Sequence, residues 1–346
     1  MSAEEERTDS LPESSAPACS HCGQSISHIE GKVPLCAPCR SQFIRYPIPK
    51  WIKAFGLGIL ALMIVGMVSM PRQLRTGIHL HRGMLDAADH RFLTPEKELK
   101  QVADSEPHYI EAQCRLLMAA FYNNDLNTAL SCYDKVAHEK IDDHELFVDV
   151  TKVLDQVETY LPKDSFMALE AQKPEGLTRN DYSDYFFHYP HDAYALFKFA
   201  NLLFDQKNFV AADSALNEVL RDNPDHYPSL ALKVSLKREQ HQYDSSYYFA
   251  DRMLALNKEN AFALSTKART LLKQHKDKEA FELNQQSLAL NPTLDYGLAS
   301  MALIYHFRNE IQKRDALIAR AQKDSSLMPM FIYVNDIVSG KEKFRD

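Results

Sequence analysis

The chain is 346 residues long and carries 40 Lys and Arg against 47 Asp and Glu, a formal net charge of −7. Six basic and six acidic residues lie up to Lys53, so the whole negative excess, 34 basic against 41 acidic residues, belongs to the remainder. That balance speaks against a phosphate-tracking nucleic-acid surface there, because such surfaces carry net positive charge. No G-x4-G-K-[ST], G-x-S-x-G or H-E-x2-H motif is present to support a catalytic reading.

In chain order, residues 1–18 (MSAEEERTDSLPESSAPA) hold one Leu and no aromatic residue, too little apolar surface to offset the entropy of ordering, and predict a disordered tail. Two pairs follow, Cys19-x2-Cys22 and Cys36-x2-Cys39, with thirteen residues between them. This spacing resembles a zinc ribbon, in which two knuckles set four thiolate sulfurs around one structural Zn2+, and it marks residues 19–45 as a small metal module with Cys19, Cys22, Cys36 and Cys39 as ligands. Gly23 suits the tight knuckle turn and the segment between the pairs suits a β-hairpin. So small a segment has little core of its own, so the metal would supply its folding free energy. The competing reading is a pair of disulfides or a redox-active C-x2-C, which requires an oxidising compartment. His21 and His28 read as surface residues, since four cysteines already complete a shell.

Tyr46-Pro47-Ile48-Pro49 reads as an extended linker. The uncharged run Ala54–Met70 then lies between Lys53 and Arg72, and with Trp51 and Ile52 it predicts one transmembrane helix over 51–70. A cleaved signal peptide does not fit, because some 50 residues precede the run and no Ala-x-Ala-like site ends it; an uncleaved signal anchor does. Arg40, Arg45, Lys50 and Lys53 on one flank nearly balance Arg72, Arg75, Arg82 and Arg91 on the other. Metal-holding thiolates persist best in a reducing cytosol, which favours a cytoplasmic N-terminus with the remainder outside, across the inner membrane if the source is bacterial. Ala54 and Gly58 form a small-x3-small pair through which a homodimer would pack.

From Thr76 onward apolar residues recur with helical spacing, and small residues and prolines recur every 34 residues. In 261–294 these are Ala268, Ala280 and Pro292; in 193–226 they are Ala200, Ala212 and Pro224; in 227–260 Val234, Ser246 and Ala250 persist while Lys258 replaces the proline. This register resembles the tetratricopeptide repeat, whose small residue at position 8, Ala at 20 and Pro at 32 let two antiparallel helices approach closely. The segment 295–328 keeps Leu298, Ala302, Tyr305 and Ala321, with a capping helix expected near Met330–Ser339. Upstream, 76–109 and 110–143 read as degenerate units, after which the phase slips by 15 residues, pointing to an insertion or a lengthened helix near His144–Tyr160.

The fold class expected is therefore all-α: a helical-hairpin superhelix over 76–345, preceded by one transmembrane helix and a small zinc-ribbon-like module. The resemblance implies that the concave face binds a protein or peptide partner through helix A positions 2, 5, 6, 9, 12 and 13. Here those positions supply Tyr194, Phe197, Asn201, Phe204, Phe262, Arg269, Tyr296 and His306. The family's Lys/Asn clamp for C-terminal carboxylates is not reproduced, because Phe197 and Leu232 occupy two of its positions. An aromatic groove for an apolar segment is one reading of the eight residues; packing between units is the other. Cys114 and Cys132 read either as a disulfide or as two buried apolar residues. Tyr182, Tyr185, Phe186 and Tyr189 form a core stripe rather than a site, and His188 and His191 lack ligand spacing.

The sequence thus describes a single-pass membrane scaffold or adaptor and no enzyme, with the lipid bilayer and a protein as partners. Nucleic acid is disfavoured by the thin basic complement of Lys32, Arg40 and Arg45. The alternative is a membrane-bound regulator whose zinc module contacts nucleic acid or transcription machinery.

Overall fold

A computed structural model describes residues 17–27, 32–44, 49–137 and 139–345. The disordered tail expected over 1–18 lies mostly outside these residues, as do His28 and the Tyr46–Ile48 part of the linker. The chain divides into two compact units, 1–73 and 74–346. Among the described residues there are seventeen helices and no strand.

In the first unit, helix α1 (Ala37–Ile44) follows the first cysteine of the second pair. An antiparallel bridge joins Ala18 to Ser25 across the first pair, and the hairpin expected between the pairs falls partly on 28–31, outside the described residues. Helix α2 (Lys50–Ala88) contains the apolar run. Its stretch Lys50–Met67 is long and apolar enough to cross a membrane, and none of it is buried against the rest of the chain.

The second unit is an array of helical hairpins. Its helices are α3 (Leu93–Ser105), α4 (Ile110–Tyr122), α5 (Leu126–Val136), α6 (His144–Glu158), α7 (Asp164–Gln172), α8 (Arg179–His188), α9 (Ala193–Asp205), α10 (Phe209–Asp222), α11 (Tyr227–Glu239), α12 (Tyr243–Leu256), α13 (Ala261–Lys273), α14 (Asp277–Leu290), α15 (Asp295–Phe307), α16 (Ile311–Lys323) and α17 (Met328–Val338). The first helices of the last four hairpins start at 193, 227, 261 and 295, one 34-residue period apart.

The turns inside the hairpins keep the same period. Lys207, His241, His275 and Asn309 all have positive φ, and so do His90 and Asn124 upstream. Each is followed by a residue whose N–H reaches back five positions: Asn208 to Leu203 O at 2.8 Å, Gln242 to Lys237 O at 2.8 Å, Lys276 to Leu271 O at 3.1 Å, and Glu310 to Tyr305 O at 2.8 Å. This is a Schellman ending, in which one left-handed residue satisfies the orphan carbonyls of the first helix and reverses the chain for the second. Asp125 and Asn208 then cap the second helix with their side chains.

Small residues sit where the paired helices meet. Ala200, Ala212, Ala268, Ala280 and Ala302 are fully buried. Ser246, which stands for alanine in the weakest repeat, is equally buried and donates to Val234 O at 2.9 Å, so its hydroxyl is satisfied in the core. Upstream, a Cβ on Gly83 would lie 2.9 Å from Leu99 Cγ, which explains a glycine at that repeat position. Leu203, Leu216 and Leu236 join successive hairpins in one core, and α17 closes the far end by burying Phe331, Val334 and Ile337.

The phase slip has a different form from the one expected. Helix α6 begins one period after α4, but the partner that follows is replaced by two short helices, α7 and α8, so most of the extra residues lie after Tyr160. Tyr182 and Tyr185 of α8 are buried against Phe166, as the stripe predicted, while Tyr189 is exposed. A chain of ring contacts, Phe121 stacked on Tyr160, Tyr160 tilted against His226 and His226 edge-on to Phe197, ties this irregular segment to the regular repeats. Cys114 and Cys132 are free thiols in apolar surroundings, and burial pushes both up to about 11.

The array curls far enough for its first turn to meet its middle. Lys258 N–H donates to His90 O at 2.7 Å, its Nζ lies 2.6 Å from Asp89 Oδ1, and Asn257 Nδ2 donates to Asn123 Oδ1 at 2.8 Å. The Glu259 carboxylate accepts from the N–H groups of Leu93 and Thr94 at 3.0 and 3.4 Å. Phe92, at the N-cap of α3, offers no side-chain acceptor, so a residue 166 positions away does the capping. Glu259→Ala should therefore lower stability by about 1 kcal/mol, read as a lower urea midpoint with an unchanged slope. An unchanged midpoint would mean that water satisfies α3 equally well.

Candidate functional site

The first unit brings the four predicted cysteines together. The Sγ atoms of Cys19, Cys22, Cys36 and Cys39 all lie within 4.8 Å of one another. Cys22 and Cys36 approach to 3.5 Å, and Ile26 and Leu35 pack beside Cys19 and Cys39. The first knuckle is a tight turn in which Gly23, at φ +74°, donates to Cys19 O at 2.9 Å and Cys19 donates to Gln24 O at 2.8 Å. The second opens directly into α1, with Arg40 N–H donating to Cys36 O.

Electrostatics make this a place for thiolate. The backbone N–H of Cys36 points at Cys19 Sγ from 3.3 Å and that of Cys22 assists, lowering the Cys19 thiol to about 6. Cys39, crowded by the thiols of Cys36 and Cys22, is pushed up to about 12. Cys19 is thus predisposed to ionise, while Cys22 and Cys39 are held towards the protonated form by the neighbouring thiols. A tetrahedral Zn2+ with bonds of about 2.3 Å needs sulfurs about 3.8 Å apart, which this cluster approaches with little movement. His21 Nδ1 lies 3.5 Å from Cys39 Sγ, outside the set of four sulfurs.

The second unit holds a groove with two adjoining lobes. One, about 890 Å³, is lined by Leu93, Glu96, Asn123, Phe197, Tyr227, Phe262 and their neighbours. The other, about 750 Å³, is lined by Phe204, Arg238, Arg269, Lys273, Tyr333 and the residues around them. Asn201, Leu232, Ser235, Tyr296 and Met330 line both. The inner walls come from α9, α11, α13 and α15, because the first helix of every hairpin faces the same side of the array. Polar contacts between the first turn and the 257–260 loop wall the first lobe.

Six of the eight predicted partner residues line this groove: Phe197, Asn201, Phe204, Phe262, Arg269 and Tyr296. Tyr194 instead packs its ring on Phe166, and His306 lies against Arg314, whose Nη1 is 3.1 Å from its Nδ1. Neither lines either lobe. Arg238 and Lys273 were overlooked although they stand at positions 12 and 13 of their repeats, where the same ruler would have found them. Tyr333, from the closing helix, had no repeat register to mark it.

Arg269 and Tyr296 form a close cation–π pair in the groove. The guanidinium lies 3.8 Å from the ring centroid, its Nε donates to Ser300 Oγ at 2.7 Å, and Tyr296 is only 9% exposed. Burial opposes ionisation of Tyr296, yet Arg269 and Arg238 outweigh it and hold the phenol down at about 8.

Three solved structures resemble the chain at low identity. A tetratricopeptide repeat protein from Parabacteroides merdae ATCC 43184 matches at 14% identity and TM-score 0.40, over 74% of this chain and 97% of that one. PilW, described as a widely conserved type IV pilus biogenesis factor, matches at 14% and 0.33, over 75% and 97%. The tetratricopeptide domain of P58(IPK) matches at 14% and 0.25, over 85% and 97%. No protein-family model matches the chain, and no curated protein does. The tetratricopeptide-like character of the second unit stands on its own 34-residue geometry.

Two outcomes test these sites. Co2+ added to the reduced chain should produce a strong thiolate-to-metal absorption band that Cys22→Ser weakens; a spectrum identical in the variant would remove Cys22 from the ligand set. His226, which caps α11 through Nδ1 and is buried, is pushed down to about 4 by burial. The unfolded chain, with an ordinary value near 6.5, takes up the proton first, so stability is full above that pH and falls as pH drops. The loss is about 2 kcal/mol at pH 5. His226→Asn, which keeps a cap, should flatten this part of the stability profile between pH 7 and 5.

Proposed function

We propose that this chain is a membrane-anchored scaffold that holds a protein partner in the concave groove of its repeat unit. The observation that carries the reading is the groove itself: successive first helices present Phe197, Tyr227, Phe262 and Tyr296 to a cavity that the rest of the fold leaves open. Clustered aromatic side chains beside polar groups are the usual anchors of protein recognition.

The anchor is the Lys50–Met67 stretch. A helix this long whose Trp51, Phe55, Leu57, Leu62 and Met67 all face outward presents more continuous apolar surface than a water-soluble monomer tolerates. A bilayer would cover it. The cysteine cluster serves as a small structural Zn2+ module, held by Cys19, Cys22, Cys36 and Cys39, that gives the N-terminal segment a fixed shape for docking.

Photo-crosslinking tests the reading. A photoreactive phenylalanine at position 262 should give a discrete protein adduct in the membrane fraction that survives an alkaline carbonate wash, and the same probe at exposed position 187 should give none. Equal adducts at both positions, or a chain released by the wash, would overturn it.

A further inference from the structure

The second lobe of the groove is built around more positive charge than its own acids neutralise. Arg238 and Lys273 share one carboxylate, Glu239, at 3.1 and 2.9 Å. Lys207 is paired with Glu342 at 3.0 Å, and Arg345 is held by both oxygens of Asp277. Arg269 has no carboxylate partner among the described residues, and its Nη2 is buried without any hydrogen-bond partner while the side chain is only 5% exposed. It lies against the Tyr296 ring, and its polar partners are the Ser300 hydroxyl and the Tyr296 phenol. Asp205, His241, Tyr333 and Lys343 complete the charged or titratable lining.

A buried guanidinium with an unsatisfied N–H and no counter-charge is costly, and the cost is relieved by an anion that accepts from it. The neighbouring lobe offers the opposite field. Its lining contains Glu96, Asp125, Glu259 and Asp295 and no Lys or Arg. An anion entering the groove is therefore repelled from one lobe and drawn to the other. Phe204, Leu232, Met330 and Tyr333 surround the basic lobe with apolar and aromatic surface, which suits the stem of an acidic side chain better than a fully hydrated ion.

We propose that this lobe is a carboxylate site, in which Arg269, supported by Arg238 and Lys273, receives an Asp or Glu side chain of the partner held in the groove. The proposal rests on the scaffold reading and adds the chemistry of the partner. Arg269 supplies a planar fork that matches a carboxylate, and Ser235, which lines both lobes, marks the boundary between them.

The test uses the full chain in detergent micelles with sodium glutarate as the probe, against sodium phosphate and sodium chloride at matched ionic strength. Glutarate should give a saturable rise in melting temperature and shift the Arg269 Nε resonance in spectra of 15N-arginine protein. Arg269→Gln should weaken binding at least tenfold, and Arg269→Lys, which keeps the charge without the fork, should weaken it less. Ser235→Glu places a competing carboxylate in the lobe and should abolish glutarate binding even if Arg269→Gln does not fold. A response no larger than that to chloride, tighter binding of phosphate than of glutarate, or unchanged binding in Ser235→Glu would each overturn the assignment. Glutarate binding requires no partner protein, so its failure removes the carboxylate site and leaves the groove reading standing. Missing crosslinks at position 262 would do the reverse.

Discussion

The architecture of the second unit depends on how closely two antiparallel helices can lie, and that distance is set by a few side chains per period. Where Ala200 packs with Ala212, the backbones approach until larger neighbours such as Leu203 and Leu216 can interlock around them, and Ala268 and Ala280 are equally buried two periods on. The left-handed residue at 207, 241, 275 and 309 then reverses the chain within a residue or two. Glycine is the usual choice for such a backbone conformation, but histidine, lysine and asparagine hold it here. The cost of that conformation, about 1 kcal/mol or so at each position, is outweighed by the Schellman hydrogen bonds and by the packing that the reversal permits.

The middle of the array replaces part of the usual apolar interior by small polar groups. Ser246 and Thr270 share a hydrogen bond at 2.9 Å, Ser265 donates to Asn284 at 2.7 Å, and Asn284 donates to Gly297 O at 2.9 Å. Every one of these groups is fully buried and satisfied. Buried hydrogen bonds of this kind add little net stability but make misregistered packing expensive, because a slipped helix would leave donors unpaired. Ser246 carries the network from 261–297, where the other bonds lie, into 227–260, where the sequence repeat is weakest. The same stretch contributes Arg238 to the groove and Lys258 and Glu259 to the contact with the first turn, so its drift from the repeat pattern coincides with its most specialised surfaces.

Much of this was legible from residue spacing because the fold repeats. Ala268, Ala280 and Pro292 define a period, and the period alone locates the hairpins from 193 to 307 and the inward positions of six groove residues. The cysteine pairs were equally readable, since two knuckles constrain their own geometry. What spacing could not show was everything that depends on distant parts of the chain meeting. Glu259 capping α3, Asn257 bonding Asn123 and Tyr333 entering the groove all join residues scores of positions apart, with no local pattern to announce them. Tyr194 and His306 fail for the complementary reason. They hold the right positions in the period, but Tyr194 is diverted by Phe166 from the irregular α7 and His306 by Arg314 of α16.

The division of charge within the groove gives the scaffold reading its physical content. An aromatic concavity alone would accept many apolar segments, because hydrophobic contact is not directional. Acidic groups confined to one lobe and a surplus of guanidinium and ammonium in the other make the groove polar end to end, so that a bound segment reads differently in its two directions. The contacts between the first turn and the 257–260 loop matter for the same reason. They wall the acidic lobe, where burial, foremost, raises the Glu96 carboxyl from its ordinary value. A charge that is partly shielded from solvent acts over a longer distance than one on an open surface. The curl of the array and the shielding of the acidic lobe are thus consequences of one set of contacts, those that Lys258 and Glu259 make with the turn at His90.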